Sequence, residues 1–264
     1  MFYQNDSFII SFIQLMQCCN EAILKIYYKD FKVVYKDDKS PLTMADEIAN
    51  SIICEKLESI NKTYFKENEI VIISEENKNK PYEERCQYDY CWLVDPIDGT
   101  KEFVKKNGQF TVNIGLCYLG TPVFGMVSIP VTGEIYYGAK GLGSFKVHHE
   151  KKEQLHVNSN YSLFQKNSRI VASSSHLNKE TQEYIEQFPD PILLQTGSSL
   201  KLLYIAENKA DIYPRIAPTS EWDTCAAHAI LLYAGGKVFN YSTKYPLQYN
   251  KENLLNPFFI ASCI

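Results

Sequence analysis

The sequence predicts a two-lobed chain of mixed α+β and α/β class, with an antiparallel N-terminal sheet flanked by helices and then a smaller α/β C-terminal lobe. Two continuous apolar runs, Ile70-Val71-Ile72-Ile73 and Trp92-Leu93-Val94, read as strands covered on both faces, and acids follow both. Between Thr111 and Val147, strand-like pieces are separated by Gly- and Pro-containing turns, as in an antiparallel meander. Beyond Arg169, short strands alternate with helical segments, the pattern of an α/β lobe.

Taken in order, Ile9, Ile13, Met16, Ile23 and Ile26/Tyr27 recur at helical spacing, which predicts a scaffold helix over about Asp6 to Tyr28. Phe31 to Tyr35 is extended, and residues 36–41 form a loop. Thr43-Met44-Ala45-Asp46 fits a capping box and starts a second helix, whose buried face is expected to use Ile48, Ile52, Ile53 and Leu57. The strand at Ile70–Ile73 leads to Ser74-Glu75-Glu76 and a polar turn. The strand at Trp92 is expected to break at Pro96. Four strands follow, at Thr111–Tyr118, Val123–Ile129, Glu134–Tyr137 and Gly143–Val147.

The charged segment from His148 to Lys166 is expected to be irregular and to hold the lobe boundary, dividing the chain into 1–152 and 153–264. The second lobe reads as strands at Arg169–Ala172, Ile192–Leu194, Ala210–Tyr213, Lys237–Phe239 and Phe258–Ile260. Helices fall near Asn178–Phe188, Ser199–Glu207 and Trp222–Ala234, the last stopped by Gly235-Gly236.

A chain of 264 residues that is 45% hydrophobic can bury a full core without disulfides. Its eight cysteines show no Cys-x-x-Cys spacing, which points to reduced thiols in the cytoplasm and against a zinc site. A net charge of −4 with interspersed signs offers no field for a nucleic-acid polymer or an anionic membrane. Phe8 to Ile13 is apolar but lacks the basic flank of a signal peptide, and no stretch approaches membrane-spanning length. These readings exclude integral membrane association and leave peripheral association with the inner membrane open. Either a monomer or a homodimer is compatible with them.

The chemistry concentrates in Asp95-Pro96-Ile97-Asp98-Gly99-Thr100, where carboxylates, a tight turn and a hydroxyl follow a buried strand. Glu75 ends the neighbouring strand, and acids at strand ends face the crevice where open α/β sheets bind ligands. Asp223 lies on the apolar face of the last helix with Ala226, Ala227, Ile230 and Ala234. There it is either a structural cap or a ligand aimed into a cleft. Glu75, Asp95, Asp98 and Asp223 form an all-oxygen set suited to Mg²⁺, with Mn²⁺ able to substitute. Gly99 permits close approach of a phosphate. Asp46 reads first as a cap, and as a partner of the Thr100 hydroxyl it would help form a base for water.

Three separated motifs, Ser74-Glu75-Glu76, Asp95 to Thr100 and Trp222-Asp223-Thr224-Cys225-Ala226-Ala227, resemble the signatures of the lithium-sensitive, magnesium-dependent inositol monophosphatase superfamily. The resemblance implies a layered α-β-α-β-α sugar-phosphatase fold. It implies two or three Mg²⁺ ions held by Glu75, Asp95, the Ile97 carbonyl, Asp98 and Asp223, with Asp46 and Thr100 activating water. Lys101-Glu102-Phe103, Asn107 to Asn113, Ser173-Ser174-Ser175-His176, Gly197 to Lys201 and Asp211 to Arg215 are similar to the 3′(2′),5′-bisphosphate nucleotidases of the CysQ type within it. That similarity implies a phosphorylated nucleotide substrate touched by Gly99, Thr100, Ser173, His176, Gly197 and Lys201. The implied reaction is hydrolysis of the 3′-phosphate of adenosine 3′,5′-bisphosphate, with 3′-phosphoadenylyl sulfate as a further substrate. The same chemistry on inositol monophosphate or another sugar phosphate, and an inactive nucleotide-binding sensor, are the alternatives.

Overall fold

Helix α1 (Asp6–Tyr27) is capped by the Asn5 side chain, which accepts from the Ser7 N–H at 3.1 Å. The computed structural model, which describes residues 1–29, 31–35, 41–65, 69–173 and 177–264, gives α1 enough length and apolar composition to cross a membrane. That corrects the expectation that no stretch approaches spanning length. The helix instead lays Phe8, Phe12, Met16, Cys19 and Ile23 into the core. A hairpin of β1 (Val33–Tyr35) and β2 (Pro41–Thr43) leads into α2 (Met44–Tyr64). The buried stripe of α2 is Ala45, Ala49, Ile53, Leu57 and Ile60. Ile48 is exposed and Ile52 only half-buried, because small Ala45 and Ala49 occupy the inward stripe near the helix start.

Strands β3 (Ile70–Ser74), β4 (Tyr90–Asp98), β5 (Thr111–Tyr118), β6 (Thr121–Ile129), β7 (Glu134–Ala139), β8 (Gly143–His148) and β9 (Lys151–Leu155) form one sheet in sequence order among the described residues. Short helices α3 (Tyr82–Arg85) and α4 (Thr100–Val104) flank β4. β3 and β4 are parallel, and every later neighbour is antiparallel. β4 does not break at Pro96. β3 ends at Ser74 opposite Val94, so Pro96 needs no hydrogen-bond partner on that side, and a register shift between Asp95 and Asp98 absorbs it. β9 replaces the irregular segment expected after His148, and the boundary placed at 152/153 falls inside it.

The second sheet is built from β10 (Arg169–Ser173), β11 (Ile192–Thr196), β12 (Ile212–Arg215), β13 (Lys237–Asn240) and β14 (Phe259–Ser262), in the order β11-β10-β12-β14-β13. Its helices are α5 (Lys179–Ile185), α6 (Leu200–Ala206) and α7 (Glu221–Tyr233). α1 and α2 cover one face of the first sheet, α6 and α7 fill the space between the sheets, and α5 covers the outer face of the second. The result is the layered α-β-α-β-α arrangement.

A row of glycines sets how closely α7 lies on the first sheet. Gly115, Gly125 and Gly138 are directly opposite one another on β5, β6 and β7. A Cβ at Gly125 would stand 2.1 Å from the Ala226 carbonyl oxygen, and one at Gly115 would stand 2.7 Å from Cys225 Sγ. The backbone of α7 rests in the groove that these missing side chains leave, which carries its first turn, with Asp223, to the end of β4.

Candidate active site

The carboxylates come from elements that are far apart in sequence. One carboxylate oxygen from each of Glu75, Asp95 and Asp223 lies within 4.8 Å of the others. Glu75 follows β3, where Ser74 is held on both sides: its hydroxyl donates to Asn50 Oδ1 at 2.7 Å, and its N–H to Asn79 Oδ1 at 3.1 Å. Asn79 Nδ2 returns a bond to the Ser74 carbonyl at 3.0 Å. Asp95 is buried and turns Oδ1 to the Ile97 N–H at 3.0 Å, which fixes the bulged end of β4. Asp223 closes a capping box by accepting from the Ser220 N–H at 2.8 Å. Cap and cluster member are therefore the same carboxylate.

Asp98 points toward the second lobe. Its Oδ2 accepts from Ser198 Oγ at 2.7 Å and from Asn113 Nδ2 at 3.5 Å. Ser198 also meets Thr111 Oγ1 at 2.6 Å, and Ser199 bonds Thr111 and Asn113, so a polar network joins the two sheets beneath the site. Gly99 takes φ +90 to start α4, a left-handed conformation suited to glycine, and a Cβ there would stand 3.1 Å from the Gln109 carbonyl oxygen.

Concentrated like charge in a buried site raises carboxyl pKa values. Burial holds Asp95 well above the ordinary carboxylate range, and the charges of Glu75, Asp98, Asp223 and Asp46 add to it. Burial and the neighbouring Asp98 do the same to Asp223. Asp98 is raised by burial, against the pull of the Ser198 hydrogen bond and Lys201. An all-oxygen group that keeps its charge only at such a cost fits a hard divalent cation, which would supply the missing positive charge.

Asp98, Gly99, Ser173, Gly197, Lys201 and Asp223 all line one cavity of about 440 Å³. Lys201 is held down to about 8 by burial, with Asp98 pulling the other way, and its Nζ donates to the Ser198 carbonyl at 2.6 Å. His176 lies outside the described residues. Asp46 and Thr100 each have another partner: Asp46 Oδ2 accepts from the Thr43 N–H at 2.8 Å and hydroxyl at 2.7 Å, while Thr100 Oγ1 donates to the Ile97 carbonyl at 3.2 Å. Burial raises the Asp46 carboxyl, and the charge of Glu75 contributes to the rise.

Sequence reasoning gave no role to Ser198, Tyr213 or Arg215, which also line the cavity. Arg215 Nη2 donates to the Pro218 carbonyl at 2.6 Å, and its buried Nε has no partner among the described residues. The available signals were a Gly-Ser-Ser after a strand, and an arginine that ends the Asp211–Arg215 stretch.

The model of the inositol monophosphatase family matches residues 4–258. The chain is 39% identical over 249 residues to the 3′(2′),5′-bisphosphate nucleotidase CysQ of Salmonella typhimurium, covering 93% of this chain and 96% of that protein. It is 38% identical to the Escherichia coli K12 protein of the same name, covering 94% and 97%. The solved CysQ of Bacteroides thetaiotaomicron superposes with a TM-score of 0.81 at 39% identity, over 95% of each chain. An inositol monophosphatase from Thermotoga maritima, at 24% identity and a TM-score of 0.75 over 98% and 92%, shares the fold.

Proposed function

The chain belongs to the inositol monophosphatase family, and on that premise we propose that it hydrolyses the 3′-phosphate of adenosine 3′,5′-bisphosphate to AMP and inorganic phosphate. 3′-Phosphoadenylyl sulfate carries the same 3′-phosphate and is a second substrate. The observation that carries this reading is the mixed charge of one cavity, whose wall holds the carboxylates Asp98 and Asp223 together with the cations Lys201 and Arg215. A substrate with more than one phosphate fits a wall that offers both hard metal ligands and cations. The phosphate to be cleaved sits by the carboxylates and the 5′-phosphate by the cations. The relatives named CysQ supply the nucleotide.

Glu75, Asp95, the Ile97 carbonyl, Asp98 and Asp223 would hold Mg²⁺, in two or three ions. Bound Mg²⁺ would neutralise phosphate charge and lower the pKa of a water within its reach. The Thr100 hydroxyl would pass the proton of the attacking water on to the carboxylate of Asp46, whose pKa burial has raised. A water oxygen bonds to phosphorus, the bond from phosphorus to the ribose 3′ oxygen breaks, that oxygen takes a proton from solvent water, and the proton held by Asp46 returns to solvent. Ser173, Gly197 and His176 contact the nucleotide together with Gly99, Thr100 and Lys201. All eight cysteines carry free thiols, which supports a reducing, cytoplasmic setting.

Chromatography of the products formed in the presence of Mg²⁺ tests the reading. 5′-AMP is the expected nucleoside product; adenosine 3′-phosphate, or no phosphate release at all, would overturn it.

A further inference from the structure

A second cavity, of about 450 Å³, lies apart from the acidic site, between the start of β6, α7 and β13. Its wall is mostly apolar, from Pro122, Leu232, Val238, Phe239, Pro246 and Leu247; His228 also faces it, and the exposed Thr121, Lys237 and Gln248 form its polar edge. His228 is 3% exposed, so its ring nitrogens depend on protein or ligand partners.

The hydrogen bonds behind His228 fix which nitrogen carries the proton. Thr224 Oγ1 donates to the Glu221 carbonyl at 3.3 Å, so it accepts from Asn256 Nδ2 at 3.0 Å and from the Tyr249 hydroxyl at 3.2 Å. Tyr249 has then given away its single proton, and its oxygen accepts from His228 Nδ1 at 2.9 Å. Nδ1 therefore carries the hydrogen and Nε2 is a bare acceptor, with no partner among the described residues. Burial pushes the ring pKa down to about 3, so the imidazole stays neutral and does not gain a second N–H.

A bare acceptor on an apolar wall selects its ligand. At Nε2 another acceptor would meet a lone pair, whereas a purely apolar molecule would leave Nε2 desolvated and unpaired. We infer that this cavity binds a neutral, mostly apolar molecule of the phenol class, whose hydroxyl donates to Nε2 of His228. The ring covers the aliphatic wall, and the single donor fixes its orientation. The site is separate from the carboxylate cavity, although Thr224, at the far end of the relay, lines that cavity too.

Phenol and anisole, the same ring with the hydroxyl proton replaced by a methyl group, are the probes. In the full chain labelled with ¹⁵N-histidine, long-range ¹H–¹⁵N spectra should show His228 as the Nδ1–H tautomer. Phenol should shift its Nε2 resonance saturably, and anisole should bind about tenfold more weakly or worse. Leu232→Trp, which fills the cavity without touching the relay, should abolish the phenol response and keep the tautomer. The Nε2–H tautomer, equal affinity for the two probes, no saturable shift with phenol, or an undiminished response in Leu232→Trp would each overturn the inference.

Discussion

The Ser198 hydroxyl donates to Oδ2 of Asp98 at 2.7 Å, joining two residues 100 positions apart in the chain and held by different sheets. The bond aims a carboxylate of the first sheet from a loop of the second. Ser198 also contacts Thr111, and its carbonyl holds Lys201. Removing the hydroxyl releases Asp98 and breaks the Thr111 contact, while the Ser198 carbonyl still holds Lys201. Ser198→Ala should therefore weaken cation binding by about 10- to 100-fold, the usual effect of losing a partner behind a metal ligand. A Mg²⁺ titration followed by thermal shift and by initial rate measures it, and an unchanged Mg²⁺ midpoint would show that Asp98 is aimed by its own strand alone.

The glycine row predicts a steep stability cost. In Gly125→Ala the new Cβ would stand 2.1 Å from the Ala226 carbonyl oxygen, and neither backbone can yield without lifting α7. Overpacking of this kind costs about 3 kcal/mol or more. Urea unfolding should show that loss, with Mg²⁺ affinity falling in parallel because α7 carries Asp223. A variant as stable as the parent would mean that the sheet and helix are less tightly seated.

The carboxylate cluster sets a pH dependence with a definite sign. Asp95, Asp98 and Asp223 are held above their ordinary value of 3.8 in the folded protein without metal. Above that value the unfolded chain has lost protons that the folded chain retains, so their contribution to stability falls as pH rises. A divalent cation competes for the same oxygens, and its stabilisation grows with pH as the protons leave. Melting curves between about pH 5 and pH 8 should show the Mg²⁺ increment in Tm increasing with pH. A constant or shrinking increment would remove these groups from the cation site.

A structural pair behaves in the opposite way. Asp211 is raised by burial, but the Arg169 hydrogen bonds and charge outweigh that and hold its carboxyl below 3.8. Arg169 donates through Nε at 3.0 Å, Nη2 at 2.6 Å and its own N–H at 2.8 Å, tying the start of β10 to the approach to β12. This contribution is present above the unfolded value and is lost as pH falls through the lowered one. Asp211→Asn should cost about 3 kcal/mol, the low end for breaking a buried pair, because Arg169 keeps some access to water. Denaturant titration at neutral pH checks the value, and the difference from the parent should shrink in acid.

The site's carboxylates were legible because each sits next to a local signal: Glu75 and Asp95 at the ends of apolar runs, Asp46 and Asp223 at helix starts. The meander and the alternating second lobe were legible from their turns. β9 was hidden because Lys151 to Gln154 are all exposed and carry no alternating pattern. The Ser198 network depends on a contact between distant segments and the glycine row on the register of three successive strands, and no short window of sequence contains either. Pro96 suggested a break because the end of β3, which leaves β4 without a neighbour on one side there, is fixed by pairing and not by composition.

A cavity that serves a nucleotide with two phosphates should favour it over an ester with one. kcat/KM measured at saturating Mg²⁺ on adenosine 3′,5′-bisphosphate and on inositol 1-phosphate makes the comparison. A preference of about a hundredfold or more is expected for the nucleotide, whose second phosphate can also engage Lys201 and Arg215. Equal values, or a preference for the inositol ester, would contradict it.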